Sequence, residues 1–122
     1  MIAWLGSLGR SFACALAGLA WLLKSQRNAR IHAVAAVGVA ALGAWLVITA
    51  TEWCLVVLAC GMVIAAEALN TAIEKLADRI TTEKDERIRV AKDVAAGGVL
   101  VAAIAAAIVG VIVFAPRLLA SL

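Results

Sequence analysis

Three stretches of about 20 apolar residues each leave this chain little choice of fold. The first runs from Ile31 to about Ala50. The second starts at Trp53 and passes without a break into EALNTAIEKLADRI, and the third is Val94–Phe114. Each is long enough, as a helix rising about 1.5 Å per residue, to cross a hydrocarbon core about 30 Å thick. A chain of 122 residues that is 66% hydrophobic could not bury so much apolar surface in a water-soluble core. The class is therefore an all-α integral membrane protein. No cleavable signal peptide is expected, because no small-residue cleavage site closes a short apolar core.

The ends of the spans carry the remaining information. Ahead of the first lies Met1–Ser25, where Leu5, Leu8, Phe12, Leu16, Leu19 and Leu23 share one helical face and Ser7, Arg10, Cys14 and Lys24 lie roughly opposite. That pattern predicts an amphipathic helix lying on the membrane surface or across the ends of the spans. With the short basic run SQRNARIH it makes an N-terminal unit of residues 1–30, followed by spans over 31–51, 53–80 and 93–115. Thr49, Thr51 and Glu52 read as a brief turn, residues 81–92 as a solvated loop, and Pro116 as the end of the third span. Ten of the eleven lysines and arginines lie before the first span or around the second loop. The positive-inside rule then places the N-terminus and the second loop in the cytoplasm.

Chemistry concentrates where the second span meets its polar end. Glu67, Asn70, Thr71, Glu74 and Asp78 recur at helical spacing and share one face. Counting from Trp53, Glu67 sits about 21 Å along the helix and Glu74 about 31 Å. The first depth is that of a lipid hydroxyl, and the second is within reach of a water-soluble phosphate donor. A carboxylate in hydrocarbon costs about 2.5–3.5 kcal/mol on insertion scales, so Glu67 reads as a functional group, a general base for an alcohol. Its structural alternative is a hydrogen bond between helices, which is equally open for Asn70. Glu74 suits a hard cation such as Mg²⁺, or is a solvated charge beside Lys75 and Arg79. Lys92 could hold a phosphate as a point charge; Asp93 could accept from a nucleotide or cap a helix starting at Val94. His32, the single histidine, reads as an interfacial anchor.

Several classes are excluded. Cys14, Cys54 and Cys60 lack the spacing of a zinc site or disulfide scaffold and read as small fillers. The basic residues flank spans and form no patch with stacking aromatics, so no nucleic-acid partner is expected. Neither a glycine loop ending in Lys-Ser/Thr nor GxGxxG occurs. A non-catalytic oligomer passing protons or cations along the acidic seam is the alternative to an enzyme.

EALNTAIEKLADRI, AKDVAAGGVL and the upstream LAGLAWLLKSQRNARIH together resemble the prokaryotic diacylglycerol kinase family, which includes the undecaprenol kinases. The resemblance covers about Ser11 to Phe114. It implies a homotrimer in the bacterial cytoplasmic membrane, each subunit with three spans and a surface helix, transferring the γ-phosphate of Mg-ATP to a lipid alcohol. By matching position it makes Glu67 the base and Asn70 an active-site polar residue. Glu74 becomes a metal ligand, while Lys92, Asp93 and Arg10 go with the nucleotide. Where many members carry a second metal-binding glutamate, this chain has Gln26, whose neutral amide is a weaker Mg²⁺ ligand. The resemblance does not choose between diacylglycerol and undecaprenol.

Overall fold

A computed structural model describes residues 1–122 as four helices. They are α1 (Ile2–Ser25), α2 (Arg27–Leu46), α3 (Ala50–Ile80) and α4 (Glu86–Ala120). All four are long and apolar enough to cross a membrane; α1 is the least apolar and α4 the most. α3 and α4, of 31 and 35 residues, would reach about 46 Å and 52 Å, well beyond a hydrocarbon core. They pack along each other as the principal pair. α2 lies mainly against α3, and α1 touches α2 and α3 but never α4.

Each joint has a local cause. α1 and α2 are separated by Gln26 alone, whose extended backbone (φ −109°, ψ 118°) breaks the helix. Arg30 then donates from Nη1 to the carbonyls of Leu23 and Lys24, satisfying groups that the end of α1 leaves free. At the other end of α2, Val47 takes a left-handed conformation (φ 51°), and Val47 and Ile48 donate back to Ala44 and Gly43. Gly43 is buried there: a Cβ on it would lie 3.0 Å from both Ile48 Cδ1 and Trp53 Cη2, so the tight return needs a glycine.

α3 opens with a capping box. Thr49 Oγ1 accepts from the Glu52 amide, and Glu52 Oε2 accepts from the Thr49 amide. Thr51 and Glu52 therefore belong to the first turn of α3 and not to a loop. Glu52 also accepts from Arg117 Nη2 at 2.5 Å, joining the start of α3 to the end of α4.

Two expectations for the third span are corrected. The second loop is only residues 81–85, because Asp85 caps α4 by accepting from the amides of Arg87 and Ile88. Arg89 then pairs with Glu86 one turn back and with Asp93 one turn ahead, stabilising the charged stretch as helix. Asp93 is accordingly an interior helical residue and caps nothing. Pro116 does not end the helix either, since α4 continues to Ala120. A proline fits helical φ, and the backbone bond it removes is tolerable in an otherwise continuous membrane-type helix.

The packed interior is thin. Ile48, Val56, Val113 and Phe114 form its one large-residue cluster, at the end of the bundle carrying the Glu52–Arg117 pair. Towards the other end small residues take over, with Ala29, Ala59, Ala77 and Ala102 buried. Only 13 of 122 residues are buried, and the apolar faces of all four helices remain open to lipid or to other copies. Cys14 and Cys54 are exposed, so only Cys60 serves as filler.

Candidate active site

The buried stripe of α3 steps through Val56, Ala59 and Val63, then changes chemistry without changing face, continuing as Glu67 and Thr71. Helical periodicity thus carries a carboxylate into the interior position that a valine would otherwise occupy. Glu67 is 3% exposed, and its Oε2 has no hydrogen-bond partner. The nearest cationic candidate is His32 on α2, whose Nε2 lies 4.0 Å from that oxygen. This is ion-pair range, beyond hydrogen-bond distance. In the sequence His32 reads as an interfacial anchor, because its meeting with Glu67 depends on how α2 and α3 are set side by side.

Glu67 also forms the one polar wall of a cavity of about 280 Å³ between α1, α2 and α3, lined otherwise by residues such as Leu19, Leu22, Ala33 and Ile64. One turn on, the half-buried Asn70 holds its Oδ1 out of solvent without a partner. Two buried oxygens without donors, on one seam beside an apolar cavity, are unfinished as protein structure alone.

Further along α3 the surroundings become aqueous. Glu74 is half-buried and makes no ion pair; Lys92, which acts on it electrostatically, is bound to Asp78 with Nζ 2.6 Å from Oδ1. That hydrogen bond is the main reason the Lys92 ammonium is held above its ordinary range, against an opposing effect of burial. Lys75 sits over the Trp21 ring, 5.5 Å from its centroid, pinning α1 to α3. Asp78, Lys92, Arg89 and the 81–85 turn enclose a polar cavity of about 650 Å³.

Of the residues anticipated as a site, Glu67, Asn70 and Glu74 follow one another along α3, and Lys92 is brought to the same end of the bundle. Asp93 is held by Arg89 at 2.7 Å. Arg10 is exposed within α1 and has no ion-pair partner in the chain. Gln26 occupies the α1–α2 joint, where its Nε2 donates to Ser25 Oγ at 3.3 Å. No three acidic, histidine or cysteine side chains converge as a ready metal cage. Glu74 nonetheless fits Mg²⁺, which commonly takes one or two carboxylates and completes its shell with substrate phosphates and water.

Comparison with known proteins gives the family. Residues 13–114 match the family model described as prokaryotic diacylglycerol kinase. The undecaprenol kinase of Bacillus subtilis (strain 168) is 37% identical over 109 residues, which is 89% of each chain. The diacylglycerol kinase of Synechocystis sp. is 40% identical over 110 residues, covering 89% of this chain and 63% of that longer protein. With a buried carboxylate at an apolar cavity, a polar cavity farther along the same helix and a family match over most of its length, the chain belongs to the prokaryotic diacylglycerol kinase family, a family of lipid kinases.

Proposed function

We propose that this protein transfers the γ-phosphate of ATP to the hydroxyl of a long-chain membrane alcohol, with undecaprenol favoured over diacylglycerol. The observation that carries the reading is the course of α3. It leads from Glu67, buried at the wall of an apolar cavity, past Glu74 to the polar cavity at Asp78 and Lys92. Eleven residues separate Glu67 from Asp78, about 16 Å along the helix, enough to bridge an oily reactant and a water-soluble one. Undecaprenol is favoured because the relative bearing that name matches over 89% of both chains, whereas the match to the diacylglycerol kinase relative covers 63% of that protein.

In this reading α2, α3 and α4 cross the bacterial cytoplasmic membrane, and α1 lies on its cytoplasmic surface with the leucine face in lipid. The N-terminus and the 81–85 turn are cytoplasmic. Three subunits assemble so that neighbours cover part of the apolar surface a single chain leaves open, with Arg10 and Gln26 completing the site at the subunit border.

Phosphoryl transfer needs positioning and charge neutralisation more than covalent help from the protein. Glu67 takes the proton of the lipid hydroxyl as the alcohol oxygen bonds to the γ-phosphorus. The bond from the γ-phosphorus to the bridging oxygen breaks, and ADP leaves with its electron pair. Asn70 orients the hydroxyl or a phosphate oxygen, and Lys92 and Asp93 hold the nucleotide. Glu74, with help from Gln26, would hold Mg²⁺, which when bound neutralises phosphate charge.

The test is transfer of label from γ-labelled ATP into the organic phase, with undecaprenol and diacylglycerol supplied in parallel micelles. Faster turnover on undecaprenol supports the reading, and faster turnover on diacylglycerol reverses the substrate choice. No organic-phase product from either alcohol points instead to an ion-passing role for the acidic seam.

A further inference from the structure

Glu67 raises a problem that its proposed role as base does not solve. A carboxylate this enclosed loses much of its hydration, a cost that stands unless a partner makes it up. The cavity it borders is otherwise apolar, with leucines from α1 and alanines from α2. On its own helix the neighbouring polar groups are Asn70 and Thr71, which carry no charge, and Glu74, which carries the wrong one.

The cations nearby are occupied elsewhere. Lys92 of α4 is bound to Asp78, Lys75 of α3 lies over Trp21, and Arg30 of α2 donates to the end of α1. Lys24 and Arg27 are exposed at the α1–α2 joint. The α4 residues that share a cavity with His32 are apolar or glycine, among them Ala103, Ala106 and Gly110. That leaves His32, with Nε2 4.0 Å from Glu67 Oε2 and its side chain one-quarter exposed.

We propose that His32 is a positioning residue for Glu67, its protonated imidazole holding the carboxylate in the ionised form and in place to receive the proton of the lipid hydroxyl. His32 touches neither substrate and acts only through Glu67. The inference rests on the reading of Glu67 as general base. A cation within about 4–6 Å of a carboxylate attracts its charged form, and the ion-pair separation puts the imidazole there.

The chain has a single histidine, so its imidazole resonances need no assignment once the protein is made without a histidine tag. Protein in detergent micelles, wild-type and Glu67→Gln, is titrated by NMR with ¹⁵N-labelled histidine. The imidazole is expected to lose its proton at a pH about one unit or more lower in Glu67→Gln than in wild type. Coincident titrations overturn the proposal, and this arm does not depend on any activity.

The second arm is the pH profile of kcat/KM for lipid phosphorylation in wild type, His32→Gln and His32→Lys. The acid limb should move to higher pH in His32→Gln and return towards the wild-type position in His32→Lys. Three superimposed limbs, with rates lowered or not, overturn the positioning role and leave His32 a packing residue. If the wild-type protein phosphorylates no lipid, the kinase reading fails, and the NMR arm still decides whether the pair exists.

Discussion

Lys92 Nζ lies 2.6 Å from Asp78 Oδ1, tying the start of α4 to the end of α3 across the five-residue turn 81–85. The pair holds a lysine at the edge of a polar cavity. In the proposed function, nucleotide binding would exchange one anionic partner of Lys92 for another.

Lys92→Met removes the proposed phosphate contact and should raise KM for ATP roughly ten- to hundredfold, the range of a charge-assisted hydrogen bond. Asp78→Asn removes only the competitor and should leave that KM unchanged or lower. ATP titrations at saturating lipid separate the two. Equal losses in both variants would make the pair structural.

Gln26 is the one proposed metal-site residue without a charge. Gln26→Glu should lower the Mg²⁺ concentration needed for half-maximal activity, because a carboxylate binds a hard cation better than an amide oxygen. A Mg²⁺ titration that is unchanged, or shifted upwards, would remove Gln26 from the metal site.

Val47 ends α2 at φ 51°, a left-handed conformation unfavourable for a β-branched residue, and its side chain is exposed. Val47→Asn keeps the cap, relieves the crowding and should stabilise the protein by about 1 kcal/mol. Thermal unfolding in detergent checks this, and a lower midpoint would show that the valine is held by contacts outside one chain.

Glu52 both closes the capping box of α3 and accepts from Arg117, whose Nε is buried without a partner. Glu52→Gln leaves the half-buried guanidinium without a counter-charge. The thermal midpoint should fall while kcat stays within about twofold of wild type, since the pair lies at the end of α3 away from Glu67. A large loss of kcat with an unchanged midpoint would contradict this division of roles.

The acidic seam was legible in the sequence because polar residues at helical spacing inside an apolar run admit few other readings. The start of α4 was less so. Glu86, Arg87, Arg89 and Lys92 look like a solvated loop as a list of charges, and only the Asp85 cap and the pairs made by Arg89 reveal a helix. Pro116 marked a boundary by its local preference, which one lost backbone bond does not enforce in a long apolar helix. His32 could not be read from spacing at all. Its place opposite Glu67 depends on the relative setting of α2 and α3, across 35 residues of sequence.

The most direct test is single-turnover phosphorylation of undecaprenol by Glu67→Gln, with ATP binding measured on the same preparation. A base of this kind contributes about 10²–10⁴-fold, so the rate should fall by that factor while ATP affinity stays near wild type. Transfer at the wild-type rate with intact ATP binding would contradict the account, because the buried carboxylate of α3 would then have no part in activating the alcohol.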